Sequence, residues 1–147
     1  MGLDLGMRTL GVSLSDTTLT ISNLYKTIRY DEGMYIESIP ELKEIVKDND
    51  VTKIILGFPK NMNNTIGPKG EIAIEFQKEL QEKLNIEVIL QDERLSTVEA
   101  TNYMIQADVS RKKRKKKIDG LAANIILQTY LDKEKGRRLW KKKKWLL

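Results

Sequence analysis

Short runs of leucine, valine and isoleucine, separated by glycine, aspartate and threonine, fill the N-terminal part of the chain. This pattern predicts three strands, in the segments GLDLG, TLGVSLSD and LTISNLYKTIRY. Because the spacers between the segments are only a few residues long, we expect consecutive strands to pair antiparallel.

Helical and strand patterns alternate after these segments. Apolar residues at helical spacing predict helices over 36–49 and 71–84, and the apolar runs KIILGF and IEVILQ are typical of strands buried on both faces of a parallel sheet. Ser96 and Glu99 form a capping box that opens a further helix. The basic run that follows is expected to separate this helix from a last one over about 118–135.

The order of these elements predicts one α/β domain over residues 1–135. It contains a mixed five-stranded sheet, three antiparallel strands followed by αβαβα, with helices on both faces. Residues 136–147 are expected to form a basic C-terminal tail, either a helical extension or a disordered arm. In open sheets of this kind ligands gather beyond the carboxyl ends of the strands.

Composition narrows the possible chemistry. The chain has 147 residues, 40% of them hydrophobic, and it contains no cysteine and no histidine. No apolar run approaches the roughly 20 residues of a membrane span, and no signal-peptide pattern is present, so a cytoplasmic protein without membrane contact is expected. Without histidine, acid–base or metal chemistry has to use Asp, Glu, Lys or Tyr, and carboxylates favour Mg²⁺ or Mn²⁺.

The net charge of +5 conceals a strong asymmetry. Residues 108–147 contain 15 basic and 4 acidic residues, a net charge of +11, which leaves 11 basic and 17 acidic residues, a net charge of −6, for the rest of the chain. The basic end is therefore either a polyanion-binding face or a solubilising tail.

Carboxylates occur at three positions where the pattern otherwise predicts core. Asp4 lies between two leucines of the first strand, Asp92 and Glu93 end the strand IEVILQ, and Asp119 shares a helical stripe with small and apolar residues three, four and seven positions later. Each acid alone has a structural explanation, such as a turn or the start of a helix. Converging acids instead imply a bound cation. Since neighbours on a strand face opposite ways, only one of Asp92 and Glu93 can point to such a site, and their spacing does not choose between them.

Four segments of the chain resemble the YqgF family. They are GLDLGMRTLGVSLSD, GFPKNMNNTIGP, DERLSTVEA and ADVSRKKRKKKIDGLAANIILQTYLD, in this order and spacing, and the resemblance covers about residues 2–132. Members of the family are described as pre-16S rRNA nucleases and as Holliday junction resolvases with an RNase H-like fold. The resemblance implies a site for one or two Mg²⁺ or Mn²⁺ ions, with Asp4, Glu93 and Asp119 as metal ligands and catalytic residues.

The expected function is hydrolysis of phosphodiester bonds, in the 5′-end maturation of pre-16S rRNA, by a monomer or weak homodimer. The alternatives are a resolvase acting on four-way DNA and a non-catalytic RNA-binding module. An actin-like ATPase would need two lobes, and this chain has one. The cations expected to bind nucleic acid are Arg8, Lys60 and Arg94 near the site and, further out, Arg111, Lys112, Lys113, Arg114, Lys115, Lys116 and Lys117.

Overall fold

The computed structural model describes residues 1–60, 63, 65–92 and 111–146, with the backbone alone for residues 111–120 and 145–146. Its elements in chain order are β1 (Gly2–Leu5), β2 (Thr9–Ser15), β3 (Ser22–Arg29), a short 3-10 helix (Tyr35–Ser38), α1 (Ile39–Asp48), β4 (Lys53–Phe58), α2 (Pro68–Leu84), β5 (Glu87–Asp92) and α3 (Arg111–Leu146).

The five strands form one mixed sheet in the order β3-β2-β1-β4-β5. β1 pairs antiparallel with β2 and parallel with β4, and β4 pairs parallel with β5. The predicted sheet, three antiparallel strands followed by two parallel ones, is thereby confirmed.

Helices cover both faces of the sheet, as predicted. On one face, Leu3 and Leu56 belong to a core that includes Leu42 of α1 and Phe76 of α2. On the other face, α3 packs through a smaller cluster formed by Ile55, Ile89, Ile126, Leu127, Tyr130 and Leu131. Burial of these apolar side chains fixes the three layers.

Two helices begin where a proline sets their first turn. α1 begins at Ile39 instead of residue 36, with Pro40 in its first turn, and the preceding residues form the 3-10 helix. α2 begins at Pro68 instead of residue 71. Proline is favoured at these positions because the first helical amides have no partner within the helix.

The last helix differs most from the prediction. It begins at Arg111, so the basic run is part of the helix and not a connector before it. Lysine and arginine are good helix formers, and neither glycine nor proline interrupts the run. The helix also continues through 136–146, which makes the predicted tail a helical extension. The helix predicted from Ser96 lies outside the described residues.

Candidate functional site

Asp4 lies near the carboxyl end of β1, in the middle of the sheet. Its neighbours Leu3 and Leu5 pack into the core beneath α1 and α2. Because successive strand residues face opposite ways, Asp4 belongs to the face that α3 covers. Its direct partner on β2 is Gly11, which has no side chain to fill the space beside the carboxylate.

A tyrosine closes the turn that follows Asp4. The Tyr30 hydroxyl lies 2.6 Å from the carbonyl oxygen of Gly6 and 2.8 Å from that of Thr9, and it donates to one or the other. Burial raises the pKa of Tyr30 well above its usual range, and the negative charge of Asp4 raises it further. Tyr30 therefore stays neutral and holds the backbone next to Asp4 in place.

The helix α3 approaches β1 and β2 very closely at Gly2. A β-carbon at Gly2 would lie 2.5 Å from Ser13 Oγ and 2.7 Å from Leu127 Cβ. The Ser13 hydroxyl donates a hydrogen bond of 2.8 Å to the carbonyl oxygen of Ala123. Because glycine has no side chain, α3 can pack directly against β1 at Gly2, next to the buried hydrogen bond between Ser13 and Ala123.

Contacts further along show the direction of α3. Ala123 lies next to Gly2. Seven residues later, the Tyr130 hydroxyl accepts a hydrogen bond of 3.2 Å from Lys53 Nζ, at the start of β4. α3 therefore runs antiparallel to β1 and β4. Position 119, one turn before Ala123, lies about 6 Å closer to the carboxyl ends of these strands. Asp4 lies about 6.6 Å beyond Gly2 in the same direction, so Asp4 and the helix backbone at position 119 both lie towards the carboxyl ends of these strands.

The alternation of β5 shows which face of the sheet Asp92 belongs to. Val88 and Leu90 pack into the core beneath α1 and α2, while Ile89 packs against α3. Asp92, two residues after Leu90, therefore belongs to the face opposite Asp4, and it is exposed. This observation removes Asp92 from the candidate ligand set. Glu93 lies outside the described residues.

A cavity of ≈ 360 Å³ opens where β1 and β4 end. The residues that line it include Asp4, Gly57, Lys60 and Lys69, together with further residues of α2. Lys60 Nζ lies 5.7 Å from the centroid of the Phe58 ring. The cavity thus brings two ammonium groups to the edge of the sheet that carries Asp4.

Lys69 was not among the residues predicted from the sequence. It stands in the first turn of α2, directly after Pro68. The apolar pattern predicted the start of this helix at residue 71, which left Lys69 in a loop. The Gly-Pro pair before it is the signal that could have found it, because proline at the first helical position marks a helix start.

The other predicted cations are Arg8, the run from Arg111 to Lys117, and Arg94. Arg8 is largely exposed and pairs with Glu32 at 3.6 Å, and it does not line the cavity. The predicted run from Arg111 to Lys117 forms the start of α3. Arg94 lies outside the described residues. Within the part of the chain that the structure describes, no three acids are grouped to hold a metal ion, and that part includes only one of the three predicted ligand side chains, Asp4.

Comparison with known proteins gives a match along most of the chain. A family model described as "RuvX: Holliday junction resolvase" matches residues 1–133. The chain belongs to the RuvX family. This assignment confirms the resemblance carried by the four motifs, and it confirms the coarse prediction of a hydrolase acting on nucleic acid.

Curated relatives of the RuvX-family chain carry a more specific name. A protein of Caldanaerobacter subterraneus subsp. tengcongensis is 48% identical over 137 residues, 92% of this chain and 97% of its own length. A protein of Bacillus subtilis is 50% identical over 132 residues, 90% of this chain and 96% of its own length. Both are named "Putative pre-16S rRNA nuclease".

Solved structures confirm the fold. T. thermophilus RuvC in complex with Holliday junction substrate matches with a TM-score of 0.56 at 14% identity, over 92% of this chain and 94% of that chain. Fowlpox virus resolvase, in complex with substrate Holliday junction DNA, matches with a TM-score of 0.51 at 16% identity, over 90% and 95%. The RuvX-family chain thus has the predicted RNase H-like α/β fold. Its described helices include none with the length and apolarity to span a membrane.

Proposed function

We propose that this RuvX-family protein is a divalent-metal-dependent nuclease that hydrolyses phosphodiester bonds in the precursor of 16S rRNA. The names of the 48% and 50% identical relatives support the substrate. The position of Asp4 and the course of α3 support the metal dependence.

The observation that carries the proposal is the antiparallel course of α3 across β1. One helical turn before the Ala123 contact, the helix backbone at position 119 lies towards the carboxyl ends of the strands, the end at which Asp4 lies. Helical spacing also puts position 119 on the stripe of Ala122, Ala123 and Ile126, all of which are buried. This placement supports the proposal that Asp4 and Asp119, from distant parts of the sequence, bind the same metal.

Glu93, the next residue in the sequence after β5, completes the proposed set. Asp92 belongs to the opposite face, which leaves Glu93 as the candidate and agrees with the family motif. Three carboxylates without nitrogen or sulfur ligands suit a hard cation, so the chemistry of the donor set fits Mg²⁺ or Mn²⁺. Asp4, Glu93 and Asp119 would hold one or two such ions.

In this proposal the carboxylates, the lysines and Tyr30 have different roles. When bound, the metal supplies Lewis-acid activation of water and stabilises charge at phosphate oxygens. The three carboxylates fix its position, and without it they would repel a phosphodiester. Lys60 and Lys69 offset the phosphate charge at the cavity. Tyr30 keeps the turn after Asp4 rigid.

The test is a set of charge-neutralising variants with a matched control. Asp4→Asn, Glu93→Gln and Asp119→Asn are each expected to reduce cleavage of a pre-16S rRNA fragment in Mn²⁺ by at least about a thousandfold, with binding nearly unchanged. Asp92→Asn removes the adjacent carboxylate on the other face and is expected to keep most of the activity. If the three variants cleaved as fast as the parent, the assignment of these acids would be wrong. If the parent itself did not cleave the fragment in Mn²⁺, the protein would be an RNA-binding module.

Metal binding has a readout besides activity. A ligand that binds only the folded state raises the unfolding temperature as its free concentration increases. Mn²⁺ is therefore expected to raise Tm of the intact protein and to leave Tm of Asp4→Asn nearly unchanged. An equal shift in both proteins would contradict the assignment of Asp4 as a metal ligand.

The family description favours a second candidate, a Holliday junction resolvase. A four-way junction has two-fold symmetry, so a resolvase would act as a symmetric dimer. Cleavage of a junction and of pre-16S rRNA should therefore be measured side by side with Asp119→Asn as the control. If a dimer cleaved the junction in preference to the rRNA, the protein would be a resolvase and the rRNA substrate would be wrong.

A further inference from the structure

The C-terminal part of α3 projects beyond the packed domain. Leu131 is the last residue of the helix in the core, at 5% exposure, and every residue from 135 to 144 is exposed. Trp140 is 64% exposed within this segment. The segment lies beyond residue 133, where the match to the RuvX family ends.

This projecting segment is strongly cationic. Between 133 and 144 the sequence contains one acid, Glu134, and eight basic residues: Lys133, Lys135, Arg137, Arg138, Lys141, Lys142, Lys143 and Lys144. Glu134 lies 3.3 Å from Arg137, which is the only ion pair found for these cations among the described residues. Like charges three and four positions apart destabilise a helix. A bound polyanion removes this repulsion, so the segment is suited to an anionic partner.

One face of the segment combines cations with an aromatic ring. Helical spacing of i, i+3, i+4 and i+7 puts four residues on this tail face: Arg137, Trp140, Lys141 and Lys144. Cations that neutralise phosphates and an aromatic ring on which a base stacks are the usual combination in single-stranded nucleic-acid binding. A membrane-binding helix would need a continuous apolar face, whereas the other residues of this segment include Arg138, Lys142 and Lys143.

The tail face lies far from Asp4 and the proposed metal site. α3 runs antiparallel to β1, so the segment leaves the domain at the end of the sheet opposite Asp4. From position 119 to position 141 the helix rises about 33 Å. The tail face therefore cannot contact the phosphate being cleaved, and a nucleic acid bound there is held at a second place.

We propose that the tail face is a second RNA-binding surface, which holds a part of the folded substrate remote from the site of cleavage. This inference rests on the proposed function in taking RNA as the substrate. It concerns binding alone, so it can be tested in the Asp4→Asn variant, in which cleavage is expected to be absent.

The first test uses the fact that both tryptophans of the chain, Trp140 and Trp145, lie in the C-terminal part of α3. In the Asp4→Asn/Trp145→Phe protein, Trp140 is the sole source of tryptophan emission. Titration with a stem–loop RNA from the 5′ end of pre-16S rRNA is expected to quench this emission, with an affinity that falls steeply as salt is raised. Unchanged emission at RNA concentrations that saturate binding would overturn the proposal.

The second test removes the charge of the segment. Substitution of Gln for Lys141, Lys142, Lys143 and Lys144 is expected to weaken binding of the stem–loop RNA about tenfold or more and to flatten its salt dependence. Arg at the same four positions keeps the charge and is expected to keep the affinity. In the protein with intact Asp4, turnover at saturating RNA should be unchanged by the Gln substitutions.

A matched control removes the same charge elsewhere. Gln at the exposed lysines of α1 and α2, Lys43, Lys47, Lys78 and Lys83, lowers the net charge equally. An equal loss of affinity in this control would show a general charge effect and overturn the proposal. Tail-dependent binding to phosphatidylserine vesicles with unchanged RNA affinity would assign the segment to a membrane and overturn it too. Cleavage that persisted in Asp4→Asn would contradict the proposed nuclease site without affecting these binding results.

Discussion

At the residue scale, Tyr30 links the position of Asp4, a proposed metal ligand, to the stability of the fold. Its hydroxyl lies within hydrogen-bond distance of the carbonyl oxygens of Gly6 and Thr9. The Thr9 carbonyl also accepts a hydrogen bond of 2.8 Å from the amide of Gly6. The turn after β1 therefore depends on one side chain from the end of β3. Asp4 precedes this turn by two residues, so loosening the turn also loosens the carboxylate.

Tyr30→Phe is expected to lower the free energy of unfolding by about 1 kcal/mol, because a partly buried hydrogen bond is removed without a change of shape. Urea denaturation measures this change. Tyr25→Phe, at a side chain that is 50% exposed, is the control and should stay within about 0.5 kcal/mol of the parent. Equal stabilities of Tyr30→Phe and the parent would show that the hydroxyl does not hold the turn.

The same residue predicts an alkaline pH dependence. The folded-state pKa of Tyr30 is raised above the ordinary value of 10.0 by burial and by Asp4. As pH rises past 10.0, the unfolded chain releases this proton while the folded chain retains it, so the stabilisation is present below that pH and is lost above it. The difference in stability between the parent and Tyr30→Phe should therefore shrink above pH 10. A constant difference up to about pH 12 would contradict the raised pKa.

Lys69 provides a residue-scale test of the cavity. Lys69→Gln removes an ammonium group near Asp4 and is expected to reduce kcat/KM for RNA cleavage roughly tenfold, which corresponds to the loss of about 1.5 kcal/mol of charge-assisted interaction. Lys78→Gln on the exposed side of the same helix serves as the matched control. Equal effects of the two substitutions would argue that phosphate does not enter the cavity.

At the element scale, the packing of α3 on β1 decides where position 119 lies. Gly2→Ala would place a methyl group 2.5 Å from Ser13 Oγ and 2.7 Å from Leu127 Cβ. Overpacking of this kind costs about 1–3 kcal/mol, and relief of the clash requires α3 to move away from the sheet. We therefore expect Gly2→Ala to lower both the stability and kcat, in thermal unfolding and in single-turnover cleavage.

Gly136→Ala is the matched substitution in the same helix. A β-carbon at Gly136 meets nothing within 4 Å, and alanine favours the helix by up to about 1 kcal/mol. This variant should be slightly more stable and fully active. A loss of activity at Gly136 equal to that at Gly2 would mean that cleavage does not depend on how closely α3 approaches β1.

Much of this architecture could be predicted from the sequence because each strand and helix shows its own period. The face of Asp92 could not, since Val88, Ile89 and Leu90 are consecutive apolar residues and their alternation becomes visible only when Val88 and Ile89 pack into different clusters. The start of α3 was missed because seven basic residues have no apolar period, although their helix propensity is high.

At the scale of the whole molecule, α3 combines two cationic ends with an apolar middle. The packed middle, residues 121–131, fixes the helix across the sheet, and the first basic run precedes position 119 directly. The run therefore lies at the pole of Asp4, whereas the tail face lies at the other pole. If both basic ends bind RNA as proposed, the first run binds it near Asp4 and the tail face binds it at the other end of the sheet.

The separation predicts that the two basic ends respond differently to substrate length. Gln at Lys112, Lys113, Lys115, Lys116 and Lys117 should weaken binding of short and long RNA alike and reduce the salt slope by about 0.7 for each phosphate of single-stranded RNA that is no longer neutralised. The tail substitutions should weaken only the binding of an RNA long enough to reach both poles, about 33 Å apart along α3. Turnover at saturating substrate should be unchanged in both cases, because neither end supplies a proposed metal ligand. A fall in turnover without a change in affinity would place the basic run in the chemistry instead of in binding.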